Sequence, residues 1–444
     1  MRGPGVHRSR SYGLAAAWFT LLGSAALGFS GWFFPRGHHT QMRYASSTAE
    51  RGSTNSGISA SSTVWGEVDG QKVYRIDLDT PEGFGVSFAT YGATLLSVRT
   101  GDKDGAIEEV TLQHDTLDGV VEGDTYYGAT VGRVCNRIAG ASFSVDGEEF
   151  SLDANDGPNC LHSGSAGFDK AVWRHEVVHT SDGVGIRFEH DSPDGEGGFP
   201  GALASKVTYS VKRGSAPGTG ELHTEMEVKY AKGAGKKVPT PVNLTNHAYW
   251  NLSGNGKRSV RGHDLMMQCD RYLPLDNNQV SEHASRIPTG EIAPVLGTFF
   301  DFTEGKPLGS AIDGVGGDPP GLDHCLVRVG TSDDGRAEAT SDDEAAEGAE
   351  GPFSLPLIAR LSEAESGRVM EVFGSQPSAQ VYTANYLSED SSDRPYARHY
   401  AVCLETQHFP DAVNHQEWAD SVLLQPGGTY LERARHVFTF DGAE

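Results

Sequence analysis

Short runs of alternating apolar and polar residues recur along most of this chain. Val73-Tyr74-Arg75-Ile76-Asp77-Leu78, Gly85–Phe88, Val207–Val211 and Glu225–Val228 all read with period two. Gly, Asp and Asn cluster between them, and no long amphipathic helix or internal repeat interrupts the pattern. Many short strands punctuated by turns predict an all-β sandwich or barrel beginning near Val64. One stretch stands apart. In Pro241-Val242-Asn243-Leu244-Thr245-Asn246-His247-Ala248-Tyr249-Trp250-Asn251-Leu252, read as one strand, Val242, Leu244, Ala248, Trp250 and Leu252 share an apolar face. Asn243, Thr245, His247, Tyr249 and Asn251 share the other. That face offers amides, hydroxyls and an imidazole instead of Lys and Glu, which suits a polyhydroxylated ligand and a proton moved near neutral pH.

Composition sharpens this picture. A net charge of −24 disfavours nucleic acid and anionic membrane, both of which need basic patches. A neutral ligand fits it better than a polyanion. The five cysteines are scattered, with no CxxC pair, and read as free buried thiols.

Two regions lie outside the β pattern. Residues 1–34 carry Arg2, Arg8 and Arg10 followed by an uncharged run from Tyr12 to Phe34. They read as a signal peptide or signal anchor, so the protein is expected in the secretory pathway, secreted or anchored through residues 12–34. Residues 35–63, rich in Ser and Thr with three arginines, read as a disordered linker or a second, organelle transit signal; a cytoplasmic location is the further alternative. Within the domain 64–444, residues 330–352 hold eight acidic residues against Arg336 and read as a disordered surface insertion.

In Ala401–Asp411, Val402, Leu404 and Thr406 alternate with Cys403, Glu405 and Gln407. A glutamate inside an apolar strand is costly unless paired or functional. Weaker signals are Gly132–Ile138 with Arg133, Asn136 and Arg137, the loop Asn155–Gly164 with His162, the Asp323-His324 pair, and Gln380–Tyr386. Arg133 and Arg137 equally suit tying strands together through backbone carbonyls.

These segments, in this order from Val64 to Phe440, resemble the aldose 1-epimerase (galactose mutarotase) family. Tyr91–Thr94, Gly132–Ile138, Pro158–His162, Asn243–Leu252, Leu322–His324, Gln380–Asn385, Leu404–Gln407 and Phe409–Asn414 carry the likeness. The resemblance implies a large antiparallel β-sandwich, the galactose mutarotase-like supersandwich, with an open sugar cleft. It implies His247 as general acid and Glu405 as general base. Asn136, Arg137, His162, Tyr249, Asp323 and Gln380 match sugar-contacting positions, and Tyr249 or Trp250 would cover an apolar sugar face. The implied reaction opens and recloses the hemiacetal of a free hexose such as glucose or galactose with no metal and no cofactor. A nearby Glu405 carboxylate would favour protonated His247. A hexose-phosphate epimerase and a non-catalytic sugar-binding protein are the competing readings. The sequons at Asn243 and Asn251 are expected to stay unmodified, and the oligomeric state is not legible.

Overall fold

The computed structural model describes residues 50–53, 57–179, 183–233, 238–275, 286–336, 355–388 and 396–442. The segment 1–34, most of 35–63 and the acidic run from 337 lie outside the described residues. Among the described residues no helix is long and apolar enough to cross a membrane.

Three antiparallel sheets of six, nine and five strands dominate the described residues. The six-stranded sheet runs in chain order from Glu50–Ser53 to Ile107–Glu109. The nine-stranded sheet has Leu203–Arg213 and Gly220–Tyr230 paired in full register, with Val207 opposite Met226. In Leu203–Arg213, Leu203, Ser205, Val207, Tyr209 and Val211 are buried and the residues between them are not, the period of a half-buried strand. The C-terminal strand Thr429–Phe440 lies in the middle of this sheet, between Gly220–Tyr230 and Arg368–Gly374. The five-stranded sheet has Asp323–Arg328, Ser378–Tyr382 and Cys403–Gln407 side by side.

One buried cluster draws side chains from all three sheets, including Phe88, Tyr209, Val381 and Leu404. Phe88 stacks on Tyr209 at 4.7 Å between centroids, and Phe84 meets Phe438 at 5.5 Å. All five cysteines are buried and unbridged, as expected. The sequence reading of a large antiparallel β-sandwich holds.

Three boundaries differ from the sequence reading. Strand Ser59–Val68 begins before Val64, because Ile58 and Ala60 are themselves core residues. Gly330–Arg336 is an ordered turn: Gly335 donates to the Ser332 carbonyl at 3.0 Å and Arg271 reaches Asp333 at 2.8 Å. The stretch 241–252 is not one strand. It breaks into Thr240–Pro241, Thr245–Asn246 and single bridges at Asn243 and Trp250, because it spans the gap between sheets and borrows a different partner at each point.

Candidate active site

The five-stranded sheet supplies one wall. Leu326, Ala379, Val381 and Leu404 face the core, so the alternate positions Asp323, Gln380, Tyr382, Cys403 and Glu405 share the opposite face. Gln380 pairs across strands with Glu405, and Tyr382 with Asp323 on one side and Cys403 on the other. A second wall comes from the turn at Asn136 and the strand pair Arg137–Ile138 with Cys160–Leu161. Asn136 and His162 both have positive φ, at 58° and 52°. The Asn136 amide donates to His162 Nδ1 at 3.1 Å, which leaves the neutral ring's proton on Nε2. The third wall is the broken segment, held by the His247 amide on the Ala129 carbonyl at 2.9 Å.

The walls enclose a cavity of about 190 Å³. Asn136, Arg137, His162, His247, Tyr249, Asp323 and Glu405 all line it, as the sequence suggested. Gln380 does not; its amide donates to Asp323 Oδ1 at 2.7 Å and orients that carboxylate. Trp250 is buried against His436 and Phe438 between the sheets and does not line the cavity. Of the expected polar face only His247 and Tyr249 reach the cavity. The Asn243 amide donates to the His408 carbonyl, and that of Asn251 to the carbonyls of Arg258 and Tyr400. Arg133 is a structural tie, donating to the carbonyls of Pro193, Pro200 and Gly201.

The reading of single residues missed Tyr126, Tyr386 and Arg286 in the wall. Tyr126 stands edge-on to His162 at 4.5 Å and lies 5.8 Å from the His247 ring. Tyr386 belongs to a segment whose tyrosines were visible. Nothing in the local sequence signals Tyr126 or Arg286.

His247 Nε2 lies 3.7 Å from Glu405 Oε1, both side chains nearly sealed from solvent. Glu405 Oε2 and His247 Nδ1 are buried with no hydrogen-bond partner in the protein. Arg137 lies 3.9 Å from Asp323 and donates to Asp156 at 2.7 Å. Burial pulls His247 down to about 4, only partly opposed by Asp323. Burial and the Asp323 charge push Glu405 well above the usual carboxylate range, against Arg137. Both shifts run against the expectation that Glu405 would keep His247 protonated. Burial of both groups disfavours the ion pair and favours the form with a protonated carboxyl group and a neutral imidazole.

His247, Cys403 and Glu405 form the one group among the described residues whose ligand atoms could gather around a metal, within 4.8 Å of one another. Burial and the Glu405 charge raise the Cys403 thiol well above its ordinary range, which disfavours the thiolate a metal takes.

Residues 74–435 match the family model described as aldose 1-epimerase. The chain is 37% identical to the galactose mutarotase of Rattus norvegicus over 84% of its length and 96% of that protein. It is 31% identical to the aldose 1-epimerase of Escherichia coli over 83% of its length and 96% of that protein. Among solved structures it resembles the GalM/aldose epimerase homologue from C. elegans, with a TM-score of 0.66 at 26% identity, covering 82% of this chain and 98% of that one. The galactose 1-epimerase from Lactobacillus acidophilus shares the fold at 23% identity and a TM-score of 0.68, covering 86% of this chain and 98% of that one. With a matched span this long and relatives above 30% identity covered almost whole, the chain belongs to the aldose 1-epimerase family.

Proposed function

We propose that this protein is an isomerase that interconverts the α and β anomers of a free hexose such as galactose or glucose, with His247 and Glu405 as the proton-transfer pair. The 3.7 Å separation of His247 Nε2 and Glu405 Oε1 carries this reading. The two oxygens of a hemiacetal hang on one carbon, so an acid and a base that serve them must stand a few Å apart. Once the pair's one proton has passed from Glu405 to His247 across this gap, Glu405 takes the proton of the anomeric hydroxyl while His247 gives one to the ring oxygen. The C1–O5 bond breaks, the open aldehyde turns about C1–C2, and the reverse transfers close the ring on the other face. After ring opening the proton sits on Glu405 and His247 is neutral. That is the state burial favours, so the dry cavity stabilises the protonation pattern of the open-chain intermediate. His162 Nε2, Arg137 and Asp323 are placed to hold hydroxyls, and Gln380 keeps Asp323 in place.

The charge balance favours a neutral sugar over a phosphorylated one. Asp156 lies against both Arg137 and Arg286, and Asp323 lies 3.9 Å from Arg137, so two carboxylates match the two guanidinium groups and, among the described residues lining the cavity, no uncompensated cation pair is left for a phosphate. A purely sugar-binding protein has no need of a buried acid–base pair.

Polarimetry on fresh α-D-galactose and α-D-glucose tests the proposal. Wild-type protein is expected to accelerate mutarotation, and Glu405→Gln and His247→Ala to lose roughly 100- to 10,000-fold of that rate with the fold intact by circular dichroism. Wild-type-like turnover in either variant would falsify the assignment of the pair.

A further inference from the structure

One cation in the cavity wall is left unused by the chemistry above. Arg286 has a side chain only 12% exposed. Its Nη2 donates to Asp156 Oδ1 at 3.2 Å, and Asp156 Oδ2 accepts from Arg137 Nε at 2.7 Å. One carboxylate thus sets the orientation of both arginines. The Arg286 guanidinium also lies over the Tyr386 ring, 5.4 Å from its centroid. Tyr386 is 41% exposed, whereas Glu405 is 2% exposed, so this cluster forms the outer end of the cavity. Two further facts stand out. Arg286 Nε is buried and has no acceptor. The residue also sits at φ 53°, a conformation a long side chain rarely adopts. An unsatisfied buried donor and a backbone outlier at the same wall position fit a group held ready for an incoming acceptor.

We infer that Arg286 is a substrate-binding, specificity-determining residue whose guanidinium donates to a hydroxyl of the sugar remote from the anomeric centre. With C1 seated between His247 and Glu405, the distal hydroxyls extend toward the rim where Arg286 waits. Asp156 is the positioning residue that fixes the fork. This inference rests on the mutarotase reading for the orientation of the sugar.

Equilibrium binding of D-galactose, read by calorimetry, tests it without requiring turnover. Arg286→Ala is expected to weaken binding roughly 10- to 100-fold, the loss of one charge-assisted hydrogen bond. KM should rise more than kcat falls. Arg286→Gly keeps the falsifiability if alanine misfolds, because glycine accepts this φ freely; it should bind as weakly as alanine while melting no lower than wild type. Lysine, lacking the fork, should restore part of the loss at most. A series of monodeoxy galactoses completes the test: one of them should bind wild type weakly yet match galactose on Arg286→Gly. Unchanged affinity in both variants, or equal deoxy-sugar penalties with and without Arg286, overturns the inference. Absence of mutarotation by wild type that still binds galactose would overturn the functional reading instead.

Discussion

At the scale of single residues, burial decides more than pairing does. Because His247 is drawn down to about 4 and Glu405 is raised, the pair carries one proton across a wide pH range. The kcat/KM profile is therefore expected to be a broad plateau with no inflection near 6.5, falling only when a second proton binds at low pH or the only proton leaves at high pH. Polarimetric rates from pH 4 to 9, corrected for the uncatalysed reaction, would reveal an ordinary histidine limb if the pair were instead wet. Glu432 gives a parallel test on stability. Sealed between the sheets with Thr406 and Tyr430 as donors, it is raised to about 8. The folded protein keeps that proton up to about pH 8, whereas the unfolded chain releases it near 4.5. Stability should therefore fall with rising pH between those values, by about 1.4 kcal/mol per unit from this group alone. Glu432→Gln should remove that slope, so urea melts of variant and wild type should diverge most above pH 8. His247 and Glu405 were legible because such side chains are anomalous in an apolar alternation. Arg286 was not, since an arginine in a polar loop is anomalous nowhere until the fold brings Asp156 and Tyr386 to it.

At the scale of elements, the alternation predicted strands well where both neighbours are regular. Leu203–Arg213 and Gly220–Tyr230 obey it along their whole length. It failed for residues 241–252, where the period-two pattern is real but the partners change from one residue to the next. Periodicity records which way side chains point and not which strand lies alongside, so Asn243 and Asn251 looked like ligand contacts when they are ties between loops. The edge at Val64 failed for a related reason: Ser59–Thr63 reads as a polar linker, yet Ala60 within it and Ile58 just before it are in the core. A fragment starting at Val64 should lose at least the roughly 1.5–3 kcal/mol of burying Ile58 compared with one starting at Gly57. Paired denaturation curves of the two fragments measure that difference, and equal midpoints would remove the first part of the strand from the folding unit.

At the scale of the whole molecule, the fold class was readable from strand number and turn chemistry, but the order of strands was not. Nothing in the sequence of Thr429–Phe440 announces that it is an interior strand. Its position has a consequence for how the protein is made. Four strands of the large sheet lie on each side of it, so until Thr429–Phe440 is synthesised the nascent chain holds two half-sheets with facing open edges. The five-stranded sheet packs against that same centre through Thr406 and Glu432. A chain stopped at Gly428 is expected to be insoluble and inactive, as sedimentation of the expressed fragment would show. Translation through this strand thus behaves as an all-or-none event: the structure closes only when the codons for Thr429–Phe440 have been read, and a product stopped before them is expected to keep no share of the activity.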